Sequence, residues 1–327
     1  MRIFLIAVLM AALGTAGAAY YWTNTPLPQS APMVDLSIEP GSSAREVAKD
    51  VAQAGLNVNP SLLYWWFRLS GQSRQIKAGS YEIDAGSTPR SLLRKLVQGE
   101  EALRSVVLLE GWNIRQVREA LRKADQLKPL TQGLSEPALM EQLGRPGVHP
   151  EGRFFPDTYT YPKGSSDIML LQRAMRAMDK RLAKAWELRD ATVALQSPEQ
   201  ALILASIVEK ETGRESDRTM VSSVFNNRLR IGMRLQTDPT VIYGLGEAFD
   251  GNLRKNDLLT DTPWNTYTRT GLPPTPIAMP GKNSLLAAVR PAASKALYFV
   301  ARGDGTSQFS ASLDEHNRAV NKYQRGQ

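Results

Sequence analysis

The chain has 327 residues, of which 42% are hydrophobic and 22% charged, enough apolar content for one large or two modest cores and not the composition of a disordered chain. It contains no cysteine and only two histidines, His149 and His316, which excludes disulfides, thiolate metal sites and cysteine nucleophiles and all but excludes a Ser-His-Asp triad or a multi-histidine zinc site. Forty basic against 32 acidic residues give a net charge of +8, which suits an anionic cell-wall polymer or lipid headgroups; the basic residues are scattered and no nucleic-acid motif accompanies them, so neither nucleic acid nor a metal or other cofactor is expected.

Residues 3 to 22 carry no charge and, as a helix, span roughly 30 Å of hydrocarbon. Arg2 and the amino terminus flank one end and Tyr20, Tyr21 and Trp22 the other, so the positive-inside rule sends the rest of the chain outward. Ala16-Gly17-Ala18 also fits a signal-peptidase site, but the length of the apolar stretch and its aromatic end favour a retained anchor over residues 1–22. The expectation is a single-pass protein of the cytoplasmic (inner) membrane with its folded part on the periplasmic side. Thr23 to Pro32 is Pro-rich and polar, and reads as an extended, semi-rigid linker.

Residues 33–125 repeat one pattern three times: an apolar strand, a Gly, an Arg four residues on, and apolar positions six and ten on. The members are Gly41, Arg45, Val47 and Val51; Gly86, Arg90, Leu92 and Leu96; and Gly111, Arg115, Val117 and Leu121. Each predicts strand, tight turn and a helix capped by Ser42, by Ser87 or Thr88, and by Asn113. Between the first two copies, Tyr64, Trp65, Trp66 and Phe67 are expected in the core in preference to stacking on sugars. A small α+β module in this order resembles a LysM-like domain, a fold associated with GlcNAc-containing glycans. From Ala124 to Val148 the chain turns polar and rich in Pro and Gly, which reads as a seam between domains.

Ser197-Pro198-Glu199-Gln200 starts a helix whose apolar residues, Ala201 to Val208, cover every face; it closes on Glu209-Lys210-Glu211-Thr212 before the breaker Gly213. Glu211 continues the apolar stripe of Leu204, Ile207 and Val208, while Glu209 points some 200° away at ~100° per residue. A carboxyl there meets desolvation and the negative end of the helix dipole, both favouring its proton, as a general acid requires. An ordinary ion pair with Lys210, Arg214 or Arg218 fits the spacing equally well. Polar residues then crowd 225–246 and 264–281, as a glycan cleft requires.

The segments EGRFFPDTYTYP (151–162), ASIVEKET (205–212), NNRLRIGMRLQTDPTVIYGLG (226–246) and NTYTRTGLPPTPIAMPG (265–281) closely resemble the endolytic murein transglycosylase, or YceG-like, family, in the same order and together with a C-terminal LYFVARGDGTSQFSASLDEHN. The resemblance implies cleavage of the β-1,4 bond between MurNAc and GlcNAc in nascent strands, leaving 1,6-anhydro-MurNAc ends, and it selects Glu211 as the acid/base. Gln236, Thr237, Asn265 and Tyr267 are the expected substrate contacts, with Glu209, Asp157 and Asp238 as supporting acids. If one of these served as a second carboxylate the enzyme would be a lysozyme-type hydrolase. A non-catalytic, membrane-tethered peptidoglycan-binding scaffold is the other alternative. Partners expected are peptidoglycan strands, with peptidoglycan synthases or divisome proteins. The fold expected is α+β: one transmembrane helix, the LysM-like module, and a larger α+β catalytic domain over 150–327 with helices near 168–188, 198–211 and 216–230 and strands near 297–301 and 307–311.

Overall fold

A computed structural model describes residues 1–212 and 214–326 of the chain, so Gly213, the expected helix breaker, lies outside the described residues. The chain is mixed α+β and divides into two compact units, residues 1–104 with 160–165, and residues 105–159 with 166–326.

The first unit begins with α1 (Arg2–Asn24), whose segment Ile3–Asn24 has a mean hydropathy of 2.1 and is long and apolar enough to cross a membrane. There follow β1 (Met33–Ile38), α2 (Ala44–Gln53), α3 (Pro60–Leu69), β2 (Gly79–Asp84) and α4 (Pro89–Gln98). β1 and β2 pair antiparallel, Val34 opposite Ile83 and Leu36 opposite Tyr81. Alternate residues of β1 point inward, so Val34, Leu36 and Ile38 join Val47, Val51, Leu63, Phe67, Leu92 and Leu96 in one core.

The repeat is visible in the backbone. Gly41, Gly86 and Gly111 all adopt positive φ (89°, 88° and 76°), the left-handed turn a side chain would disfavour. The cap of α2 is Ser43 and not Ser42: Glu46 N donates to Ser43 Oγ at 3.3 Å and Ser43 N to Glu46 Oε2 at 2.6 Å. The reciprocal bond to Glu46, three residues on, selects the later serine. Thr88 caps α4, and Asn113 caps the third helix, as expected.

Two further expectations change in this unit. Residues 23–32 are not a free spacer: Thr23 and Leu27 are buried, Leu27 N donates to Ser87 O (2.7 Å), Asn57 N to Pro28 O (2.7 Å) and Ser30 N to Gly55 O (3.2 Å). Leu27 supplies the apolar anchor that a purely polar linker would lack. In the aromatic run Phe67 is fully buried and Trp66 and Tyr64 pack on the core, but Trp65 is 56% exposed.

β3 (Leu103–Val107) and β4 (Thr158–Pro162) pair with each other, and the chain passes from one unit to the other within them. The second unit holds α5 (Ile114–Lys123), α6 (Glu136–Gln142), α7 (Asp167–Glu187), α8 (Pro198–Glu211), α9 (Arg218–Arg230), α10 (Asp238–Leu245), α11 (Lys255–Leu259), α12 (Lys282–Val289), the antiparallel hairpin β5 (Tyr298–Ala301) and β6 (Ser307–Ser310), and α13 (Leu313–Val320). The third copy of the repeat thus belongs mainly to this unit. The Pro/Gly-rich stretch 124–148 is packed too: Leu127, Leu139, Met140 and Leu143 are buried, and Thr131 donates to Asp167 through its amide (3.0 Å) and hydroxyl (2.6 Å).

α8 is the central rod of this unit. Ala201 through Val208 are all buried, and α8 packs on α7, α9, α10 and α12. An all-round apolar sequence has no solvent face to offer, which is why it takes this position. Ser197 caps it by accepting from Gln200 N (3.3 Å), while the Gln200 side chain accepts from Gln196 N (2.7 Å).

Candidate active site

The C-terminal turn of α8 delivers Glu209 and Glu211 to opposite surroundings. Glu209 Oε2 accepts from Gly281 N (2.9 Å) at the start of α12, with Arg218 at 3.9 Å. Its side chain is only 7% exposed, and its role is to tie α8 to α12. The ion-pair reading therefore applies to Glu209. Glu211 instead faces a cleft of about 730 Å³ lined by Arg228, Gln236, Asp238, Tyr267, Tyr298 and His316, among others.

Burial is the main reason that the Glu211 carboxyl is held above its ordinary range, and the neighbouring Asp238 pushes the same way. Thr237, whose hydroxyl donates to Glu211 Oε1, and the Arg228 charge pull it back down. The balance leaves a carboxylic acid that keeps its proton more readily than a free glutamate and still has two groups ready to stabilise it as an anion.

The segment 235–238 places these groups. Arg228, at the end of α9, is buried, and donates Nε to Leu297 O (2.7 Å) and one terminal nitrogen to Leu235 O (2.7 Å) and Arg234 O (3.3 Å), so one guanidinium ties α9, the 235 loop and the β5 hairpin together. Gln236 takes φ of +49°, unusual for a residue with a side chain, and its amide donates to Thr266 O (3.1 Å). Thr237 N donates to Thr266 Oγ1 (3.1 Å), which leaves the Thr237 hydroxyl for Glu211. Tyr267 donates its hydroxyl to Asp238 Oδ1 (2.5 Å). Replacing Thr237 with Val removes a donor that favours the ionised Glu211, so Glu211 should lose its proton at higher pH. The basic limb of a pH–rate profile, where the acid form disappears, should move upward; an unmoved limb would separate Thr237 from the titration.

Of the residues named from the sequence, Glu211, Gln236, Asp238 and Tyr267 share the cleft and Thr237 reaches it through Glu211. Asn265 is not a cleft contact. It is fully buried, its amide donates to Thr260 O (2.7 Å), Leu258 O (3.1 Å) and Asp257 O (3.3 Å), and its carbonyl accepts from Tyr267 N (2.8 Å). It holds the loop that presents Tyr267. Asn265→Ala is expected to cost about 3 kcal/mol of stability in denaturant unfolding, since it strands several buried carbonyls. Asp157 is exposed, accepts from Thr158 N (2.8 Å) and lies 3.8 Å from Arg181; it does not line the cleft.

Sequence reasoning passed over the far wall of the cleft. Tyr298 and His316 stack at 5.1 Å with 22° between their planes, and burial and the Arg228 charge keep His316 neutral more readily than a free histidine. Their only signal was the C-terminal motif. Asn226 and Asn227, which lie in the polar stretch 225–246 expected to form a glycan cleft, are staples: Asn226 accepts from Ala194 N (3.1 Å), and Asn227 donates to Ser294 O and Ala296 O (both 2.9 Å).

A shifted carboxyl alone does not mark the site. Glu151 is fully buried and pushed up to about 7 by burial, but both its oxygens accept from Ile114 N (3.1 Å) at the start of α5 and it bonds Tyr243. It is a brace without access to the cleft.

Fold and site together define an α+β protein that presents one half-buried carboxyl, held above its ordinary range, to an open cleft walled by aromatic and amide side chains. The YceG-like family model matches residues 36–322, and the chain belongs to that family. It is 31% identical over 311 residues to the endolytic murein transglycosylase of Bacillus subtilis, covering 89% of this chain and 84% of that protein. It is 26% identical over 356 residues to the endolytic murein transglycosylase of Streptococcus pneumoniae serotype 2, covering 97% of this chain and 64% of that protein. The crystal structure of a yceG-like protein from Listeria monocytogenes matches with a TM-score of 0.54 and 30% identity, over 89% of this chain and 99% of that one.

Proposed function

We propose that this chain is an endolytic peptidoglycan transglycosylase in which Glu211 is the sole acid and base. The observation that carries the reading is Glu211 itself: the last residue of a buried helix, its carboxyl held above its ordinary range by desolvation, and open to a cleft large enough for sugar rings.

In this mechanism protonated Glu211 gives its proton to the glycosidic oxygen as the bond from MurNAc C1 breaks, and the GlcNAc side leaves as an alcohol. The C6 hydroxyl of the same MurNAc attacks C1, and the Glu211 carboxylate takes the hydroxyl proton. One 1,6-anhydro ring forms, no water is consumed, and Glu211 ends protonated as it began. An intramolecular nucleophile can supply an effective molarity of ~10⁵ M or more, so no second carboxylate has to attack or activate water. Asp238, the other carboxylate on the cleft wall, is engaged by the Tyr267 hydroxyl, which favours this reading over a lysozyme-type hydrolase. Gln236, Tyr267 and the Tyr298–His316 stack are suited to the hydroxyls and C–H faces of the sugars.

The apolar α1 supports a retained anchor in the cytoplasmic membrane with the rest of the chain on the periplasmic side, and the β1-α2-α3-β2 arrangement supports a LysM-like module after it. An enzyme so held meets new strands as synthases extrude them, a place for ending strand growth in company with synthases or divisome proteins. Digestion of uncrosslinked strands tests the activity: internal cuts yielding fragments one water lighter than reducing-end products are expected, and products with only reducing ends would refute it.

A further inference from the structure

The exposed face of α3 has no use in the proposed reaction. Leu62, Trp65 and Leu69 are 48%, 56% and 81% exposed, and at ~100° per residue they fall within about 60° of one another, a continuous apolar stripe. Large exposed apolar side chains in one stripe mark a contact surface more often than an accident. The sequence of and around α3 is rich in cations, although Lys95 is paired with Asp84 at 3.6 Å. From Val51 to Tyr81 the chain has no acidic residue while carrying Arg68, Arg74 and Lys77, and from Ala85 to Gly99 it has none while carrying Arg90, Arg94 and Lys95.

Position supplies the rest. Thr23 is buried and Leu27, Pro28 and Ser30 are hydrogen-bonded into the unit, so no slack separates the end of α1 from the folded module. Arg90, at the start of α4, lies over the ring of Tyr20 on α1 at 5.5 Å. Trp66 donates its indole N–H to Pro89 O (3.1 Å) at the same helix start. Trp66 borders the Leu62 edge of the stripe on the helix wheel, so the stripe lies on the side of α3 that leads to α4 and the outer end of α1. A face beside the aromatic end of a membrane span lies at the depth of the lipid headgroups.

We propose that Leu62, Trp65 and Leu69, with Arg68 and the neighbouring basic residues, form a second membrane contact that lays α3 into the headgroup region of an anionic leaflet. Apolar side chains reaching about 5–10 Å into the interface with cations at its rim are how amphipathic surfaces bind such leaflets. The inference rests on α1 spanning the membrane, and its test separates the two claims.

The chain has no cysteine, so Leu69→Cys and Ala18→Cys each give a single labelling site in the full-length protein. Each variant carries an environment-sensitive fluorophore and is reconstituted into vesicles of phosphatidylethanolamine and phosphatidylglycerol containing a lipid-borne quencher. Both labels should be quenched, and the label at 69 should be quenched less when phosphatidylcholine replaces the anionic lipid. Quenching at 18 with a fully solvent-like label at 69 overturns the α3 contact and leaves the span standing. No quenching at either site overturns both. A label at 69 that responds only when soluble glycan fragments or a second protein are added assigns the stripe to that occupant and refutes the lipid contact.

Discussion

Glu211→Gln should leave a folded protein that still binds glycan and forms anhydro ends at least ~10³-fold more slowly. The amide keeps the size of the carboxyl and still accepts from Thr237, so packing around the end of α8 changes little. In the proposed mechanism, what disappears is the proton that assists departure of the glycosidic oxygen and the base that receives the C6 proton, two roles assigned to one side chain. Because burial raises the Glu211 carboxyl, the wild-type rate should fall as pH rises through its titration and the residual rate of the variant should not show that limb. An unchanged unfolding midpoint beside the lost rate separates chemistry from folding. A variant as fast as wild type would remove Glu211 from the mechanism.

Arg228→Met should damage both stability and rate. The buried guanidinium satisfies the carbonyls of Leu297, Leu235 and Arg234, lies over the Tyr298 ring at 5.2 Å and bounds the cleft. A methionine of similar length fills the space but leaves three carbonyls without donors, for an expected cost of about 3–5 kcal/mol in denaturant unfolding. In the protein that remains folded, loss of the cation makes ionised Glu211 less favourable, so the basic limb of the pH–rate profile should move up, as with Thr237→Val. Arg228→Lys should restore much of the charge effect but little of the stability, since an ammonium cannot reproduce the planar fork. Equal stability in all three proteins would refute the staple.

The elements most legible in the sequence were those with strong local signals. α8 runs over the expected residues because Ser197-Pro198 starts it and its apolar run admits no solvent face. The repeated Gly turns and their caps were readable because φ and capping chemistry are local, and even the Ser42–Ser43 displacement is one residue. The 23–32 segment misled because its composition is that of a spacer, and only Leu27, one apolar residue, betrays that it packs. The seam at 124–148 misled through its Pro and Gly content, although Leu127, Leu139, Met140 and Leu143 are buried.

For the site, periodicity sent Glu211 and Glu209 in different directions on one helix without deciding between an ion pair and an acid; the family resemblance made that selection. Periodicity could not distinguish a polar residue that lines a cleft from one that holds the cleft together. Asn226, Asn227 and Asn265 have the chemistry of sugar contacts, yet each spends its amide on backbone carbonyls far away in the chain or across a loop. The Tyr298–His316 wall was invisible for a different reason: it is assembled from β5 and α13, and nothing local announces a stack between residues so separated.

The most direct test of a one-carboxylate, water-free cleavage is digestion of purified glycan strands in water enriched in oxygen-18, with mass analysis of the new ends. The account predicts anhydro ends that carry no heavy oxygen for the wild type and no new ends for Glu211→Gln within the same time. Incorporation of one heavy oxygen at each cut would show that water is the nucleophile and would contradict it.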